Sequence, residues 1–362
     1  MIHCLAVVVK VPGNSCTPMG FKRLRHLAFA LYALNVVVDA AAQVPPASSA
    51  IASVAPTRSL NDWLMRMHQA SANRSYIGTF VVSAGASMSS AKIWHACEGT
   101  QQIERVEILT GAPRSIFRHN DNVVTFMPDH KSVRSEKRES LGLFPPLFQV
   151  AGSGIDDFYR SRQEGAERVA GVDTDIIHLI PKDRLRFGYR VWSERKNGLV
   201  VKLQTLDNAG KIIEQAAFSE LQLDASVNMN QIIEMMGKTQ GYKVDRPVLV
   251  RTTASAEGWA LKEPVPGFSS TSCYRRTAFA ANAAERQTAG EGLLQWVFSD
   301  GLASVSVFIE PLDQHGHAQE SKLSLGATQT LGRRFGEHWI TLVGEVPLTT
   351  LQLFSNGLER RK

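Results

Sequence analysis

Leu60-Asn-Asp-Trp-Leu-Met-Arg-Met-His-Gln-Ala-Ser-Ala-Asn-Arg-Ser-Tyr-Ile-Gly-Thr-Phe-Val-Val82 holds the change of period on which the fold turns. In its first half Leu60, Trp63, Leu64, Met67 and Ala70 recur at the i, i+3, i+4, i+7 spacing that gathers apolar side chains on one helical face. Thr57 or Ser59 supplies the oxygen that caps the first free N–H groups, which predicts a helix from Leu60 to Ala72 ended by Asn73 and Arg74. From Tyr76 the period drops to two, and Tyr76, Gly78, Phe80 and Val82 share one face of an extended strand.

Downstream the period of two persists. Ala91–His95, Gln101–Leu109, Arg114–His119 and Asn122–Met127 are short runs separated by Gly, Pro, Asn or Ser. Thr174–Ile180, Phe187–Ser193, Leu199–Asp207 and Lys211–Leu223 continue the series, with hairpin turn chemistry at 194–198 and 207–210. Many antiparallel strands after one early helix predict a curved sheet with helices packed against it. Between the two strand sets, Pro128–Val150 breaks the pattern. Its charged part, 130–139, precedes an apolar part, 141–150, which reads either as a solvated loop with Phe144 and Phe148 tucked into the core or as a lid over an apolar cavity.

A helical stretch within Asn228–Gly241 and a linker ending at Arg246 lead to a second strand set: Val248–Thr253, Leu293–Ser299, Ala303–Ile309, Gln329–Phe335 and His338–Gly344. Leu348–Phe354 starts a closing helix. The 362 residues, 44% of them hydrophobic and 20% charged, suit two folded domains and exclude a disordered chain.

Upstream, the basic run Met19–His26, the apolar Leu27–Val38 and the small residues before Gln43 have the order of a secretory signal. The expected organisation is a signal peptide over 1–42, with translation starting at Met19, and a Pro/Ala/Ser-rich tether over 43–57. A half-barrel domain over 58–227, a linker over 228–246, a second domain over 247–355 and a tail over 356–362 complete it. Cleavage after Ala42 removes Lys10, Lys22, Arg23, Arg25 and Asp39 and takes the net charge from +6 to +3, too weak for nucleic-acid binding. Of four cysteines, Cys97 and Cys273 stay in the exported chain, as a disulfide or as two thiols.

Catalytic and metal patterns are weak. No nucleophile elbow, phosphate loop, dinucleotide fingerprint or H-E-x-x-H helix occurs. His315 and His317 have no evident third ligand, His95 and Cys97 no orienting group, and Asp156/Asp157 and Asp173/Asp175 no aromatic subsite. The expectation is a binding protein, with no enzyme activity, metal or cofactor.

Four stretches carry a resemblance. They are Trp63–Ala70 with Tyr76–Val82; Phe187–Ser193 running through Asn197-Gly-Leu and 206–210 to Glu214-Gln215; Gly258-Trp259, Pro266-Gly-Phe268 and Phe298–Phe308; and Gly332–Phe335 with Ile340–Pro347. In this order they resemble the MucB/RseB family, regulators of the envelope-stress sigma factor. The resemblance implies an α+β protein: an N-terminal unclosed antiparallel β-barrel with helices packed on it, similar to LolA and LolB, plus a smaller C-terminal α+β domain. It implies a periplasmic negative regulator that binds the periplasmic domain of an RseA- or MucA-like membrane anti-sigma factor. That binding would shield the partner from site-1 proteolysis until lipopolysaccharide or lipoprotein acyl chains released it. A periplasmic lipid or lipoprotein carrier is the alternative, and a second copy of the chain is a further candidate partner. An unclosed barrel leaves an apolar concavity, for which Phe80, Val82, Ile93, Val106, Ile108, Phe144 and Phe148 are the candidate ligand residues. The strand pattern leaves open which face lines it. Arg333 and Arg334 are the candidate partner contacts, suited to acidic residues.

Overall fold

The computed structural model describes residues 58–137, 154–277, 292–312 and 319–361. The first helix, α1 (Leu60–Asn73), is capped by Ser59: its hydroxyl accepts from Asp62 N at 3.1 Å, and the Asp62 carboxylate accepts from Ser59 N at 3.1 Å. Leu60, Trp63, Leu64, Met67 and Ala70 are its buried face, as their spacing predicts.

A meander follows: β1 (Tyr76–Ala84), β2 (Ser87–Glu98), β3 (Gln101–Ile108), β4 (Arg114–His119), β5 (Asn122–Met127) and β6 (Ser132–Lys137). A second meander comprises β7 (Tyr159–Val169), β8 (Val172–Pro181), β9 (Gly188–Glu194), β10 (Val200–Leu206) and β11 (Ile212–Leu223). β1 pairs with β11 and joins the two, and β12 (Lys243–Asp245) adds in parallel to β6. The sheet runs β12-β6-β5-β4-β3-β2-β1-β11-β10-β9-β8-β7, twelve strands with no pairing between β12 and β7. It is therefore unclosed. Where β1 meets β11 the backbones come close at Gly78: a Cβ there would lie 2.7 Å from the Phe218 ring and 2.8 Å from Glu220 O.

Two expectations are corrected here. Pro128–Val150, read as one long break, contains a 3₁₀ turn over Pro128–His130 and then β6, with Val133 and Glu136 buried. The charges hid that strand because its outward positions are polar. Residues 228–246, read as a linker, hold helix α2 (Met229–Gly237) and β12. Ile232 and Met236 of α2 pack on Ala96, Ile103, Phe117, Val124, Phe126 and Val133, so this stretch completes the larger sheet's second apolar face.

The second sheet has β13 (Val248–Arg251), β15 (Ser269–Thr277), β16 (Leu293–Ser299), β17 (Ser304–Pro311), β18 (Ser321–Leu325), β19 (Thr328–Phe335) and β20 (His338–Gly344). Their order is β13-β15-β16-β17-β20-β19-β18, and the neighbouring strands run antiparallel. β14 (Trp259–Leu261) pairs with β21 (Leu358–Arg360) as a separate ribbon. Helix α3 (Leu348–Gly357) buries Leu351 and Phe354 against Phe268, Phe298 and Leu342.

Candidate functional site

The alternation of β1 turns Tyr76, Phe80 and Val82 to one side of the larger sheet. Cross-strand pairing continues that face sideways. Phe80 lies opposite Ala91, which lies opposite Ile108, while Ile93 lies opposite Val106 and Val106 opposite Ile116. Phe80, Val82, Ile93 and Val106 thus meet in one cluster with Ala70, Trp192, Val201 and Phe218, and Ile108 packs at its margin. Phe80 and Phe218 meet edge to face, centroids 6.1 Å apart. Ile93 and Val106 are fully buried, Phe80 is 5% exposed and Val82 9% exposed. The patch is continuous and is filled by the protein's own side chains. Phe144 and Phe148 lie outside the described residues.

Beside this patch α1 lays Leu60, Trp63, Leu64 and Met67 on Ile177, Leu179, Tyr189, Val191, Val200 and Leu203 of β8–β10. One buried titratable group interrupts the apolar face. His95 is stacked on Tyr76, ring centroids 5.0 Å apart, and its Nδ1–H donates to Arg74 O at 2.9 Å. Burial holds the imidazole below its ordinary pKa, against the opposing pull of Glu104. His95 and Cys97 therefore serve the sheet and form no nucleophile–base pair. Asp175 is engaged by Arg195 at 2.9 Å, and Asp156 accepts from Asn61. Among the described residues no three His, Cys, Asp or Glu side chains converge as a metal site. His315 and His317 lie outside them.

The two candidate cations are adjacent on β19 and diverge. Arg333 is held inward, with Nη1 donating to Asn356 Oδ1 of α3 at 3.3 Å and the guanidinium 5.8 Å from the Phe335 ring centre. Arg334 is exposed, 3.6 Å from Glu337, with Nε donating to Gly336 O. Cys97 and Cys273 are both free thiols. Burial in the smaller sheet's core pushes the Cys273 thiol up to about 11.

What the sequence reading missed is the seam between the sheets. Arg186, on the β8–β9 loop, has no exposed surface and faces the equally buried Asp300 carboxylate, Nη1 to Oδ2 3.3 Å. Its Nη2 donates to Pro266 O at 2.8 Å, and its plane lies 4.4 Å from the Phe158 ring centre and 5.2 Å from that of Phe268. Gly267 admits it: φ is +81°, and a Cβ there would sit 2.7 Å from Nη2. Tyr159 donates its O–H to the same Asp300 oxygen at 3.3 Å. Burial raises the Asp300 carboxyl, while the backbone N–H groups of Ala303 and Leu302 and the Arg186 charge oppose that. Arg186 lies in the charged run Lys182-Asp-Arg-Leu-Arg186, whose composition reads as a solvated loop, so no local signal marks it.

The smaller sheet carries a cavity of about 320 Å³ lined by Glu257, Trp259, Arg275, Glu310, His338 and Arg360. A second, of about 520 Å³, lies between Trp259–Leu261 and Ser270–Cys273. In the first, Glu257 pairs with Arg275, and Arg360 lies over the Trp259 ring.

The MucB/RseB N-terminal domain family matches residues 59–236 and the MucB/RseB C-terminal domain family residues 253–359. The sigma factor AlgU regulatory protein MucB of Pseudomonas aeruginosa is 27% identical over 303 residues, covering 81% of this chain and 88% of that protein. The sigma-E factor regulatory protein RseB of Escherichia coli K12 is 22% identical over 335 residues, 92% of this chain and 96% of its own length. MucB in the solved Pseudomonas aeruginosa MucA/MucB complex superposes with a TM-score of 0.62 at 25% identity, over 83% of this chain and 99% of the other.

Proposed function

The chain belongs to the MucB/RseB family, and on that premise we propose that it is a periplasmic negative regulator of an envelope-stress sigma factor. It acts by binding, not catalysis, on the periplasmic domain of a membrane anti-sigma factor of the RseA/MucA kind. While bound it covers the partner's site-1 cleavage segment, and an acyl chain of lipopolysaccharide or of a lipoprotein releases it. Residues 1–42 serve as the export signal and 43–57 as a tether.

One observation carries this reading: both sheets, in order, match MucB, which has been solved with MucA bound. The apolar patch supports the lipid arm. Phe80, Val82, Ile93, Val106 and Ile108 are the side chains an acyl chain would meet on entering the larger sheet. For the partner, Arg334 is the freer cation, since Arg333 is engaged by Asn356. Release requires lipid to bind better to a state that holds the partner less well, and a tenfold difference needs about 1.4 kcal/mol of coupling.

The test is capture of the anti-sigma factor's periplasmic segment by the chain, with and without a lipid A fragment, alongside cleavage of that segment by the site-1 protease. Capture that protects the segment and that lipid weakens supports the proposal. Lipid binding without capture favours the carrier reading. Absence of both leaves only the shared fold.

A further inference from the structure

Two of the contacts between the sheets fall at opposite ends of the larger one. Beside edge strand β12, Glu136 of β6 accepts from Arg276 Nη2 of β15 at 3.0 Å, its side chain only 2% exposed. At the other edge Tyr159, the first residue of β7, meets Asp300 together with Arg186. Between them the β18–β19 turn rests on the rim formed by β1 and β11, where Ala327 N donates to Glu214 Oε2 at 3.1 Å.

The spacing of these anchors is informative. β6 and β7 are ten strand positions apart, about 48 Å in a flat sheet at roughly 4.8 Å per strand. On the smaller sheet the anchors lie along one strand pair: Arg276 faces Leu293, and Asp300 directly follows Ser299 of β16. Seven residues of strand span only about 23 Å. Curling of the larger sheet takes up the difference.

We propose that the smaller sheet is a brace across the mouth of the unclosed larger sheet, so that the width of the mouth and the seating of the C-terminal domain change together. The inference rests on lipid being the releasing signal, and it supplies the mechanical link that reading lacks. The interior is already filled by Phe80, Ile93 and Val106, and a packed interior does not compress, so an entering chain pushes the walls apart. Spreading then loads both anchors. They are unequal: the Arg276 side chain is 27% exposed, whereas Arg186 and Asp300 are wholly buried. The β6 anchor yields first, and the smaller domain pivots on Arg186.

The experiment is hydrogen exchange on the full chain, comparing the natural protein with Arg276→Gln and Tyr159→Phe, each with and without twelve-carbon lysophosphatidylglycerol below its micelle concentration. Without lipid, Arg276→Gln is expected to speed exchange about tenfold both at 132–137 and, across the mouth, at 159–161 and 299–303. Acceleration confined to the surroundings of Glu136 overturns the brace. Tyr159→Phe repeats the test from the opposite edge, with acceleration expected at 132–137, and guards against a local folding defect at Arg276. With lipid, the natural protein is expected to loosen at the same two edges, and Arg276→Gln to bind the probe more tightly. Unchanged affinity and unchanged edges in a chain that does bind the probe also overturn the brace. If no chain binds the probe, the lipid reading fails, and the first comparison alone decides the brace.

Discussion

Arg186 and Asp300 face each other across the seam between the two sheets, Nη1 3.3 Å from Oδ2, with neither side chain exposed. A buried pair of this kind stabilises little relative to an apolar replacement, yet breaking it strands a charge in a low-dielectric setting. Asp300 is also the acceptor for Leu302 N and Ala303 N, so it shapes the β16–β17 turn as well as holding Arg186.

Arg186→Met is therefore expected to cost about 3–5 kcal/mol, read as a fall in the urea midpoint. Arg186→Met combined with Asp300→Asn should recover part of that loss, because Asn keeps the turn's acceptor and removes the stranded charge. A double variant no better than the single one would show that packing against Phe158 and Phe268, not charge, is what Arg186 contributes.

Gly78→Ala is expected to destabilise by about 1–3 kcal/mol, since a Cβ there meets the Phe218 ring and the backbone of β11 and forces apart the pairing that joins the two meanders. Thermal unfolding followed by circular dichroism is the measurement. A neutral result would mean that Phe218 repacks without disturbing β1.

Protonation of His95 should weaken the fold. Burial depresses its pKa below 6.5, so the folded chain binds fewer protons than the unfolded one. The contribution is present above about pH 6.5 and is lost as pH falls below it. His95→Gln should flatten that part of the stability profile, measured by denaturant titrations between pH 7.5 and pH 5.

Glu164 governs a lower window. Burial alone would raise its carboxyl, but hydrogen bonds from Arg162 and His178, with the charge of Arg190, bring it down to about 2. Its contribution is present above about 4.5 and is lost as pH falls toward 2. Glu164→Gln should remove that acid sensitivity; an unchanged acid limb would place it elsewhere.

The two ends of α1 should respond differently. Ser59→Ala removes the cap at a cost of about 1 kcal/mol, whereas Met67→Ala empties a fully buried site at about 2–5 kcal/mol. Both are read from denaturation midpoints.

Elements whose stability comes from one half-buried face were legible in the chain. α1 follows from Leu60, Trp63, Leu64, Met67 and Ala70, and β1 from Tyr76, Gly78, Phe80 and Val82, because helical and strand geometry carry those spacings directly. β7 was not legible. Tyr159-Arg-Ser-Arg-Gln-Glu-Gly-Ala-Glu-Arg-Val169 is an edge strand exposed along most of its length, so it needs no apolar alternation. β18, exposed at every position, escaped for the same reason.

The candidate site divides along the same line. Alternation marked Phe80, Val82, Ile93 and Val106 as apolar positions, and β pairing brought them to one face of one sheet. Local pattern alone was enough to place each of them on a strand. Which partners they meet, and that the patch is filled, depended on strands more than a hundred residues apart coming together at β1 and β11. Arg186 shows the limit most plainly. Its neighbours in sequence are charged and solvent-like, and its burial comes from Pro266, Gly267, Phe268 and Asp300. Those residues lie 80 to 114 positions further along the chain. Periodicity reports the geometry of one element at a time, whereas the environment of a charge is set by whatever the whole chain folds around it.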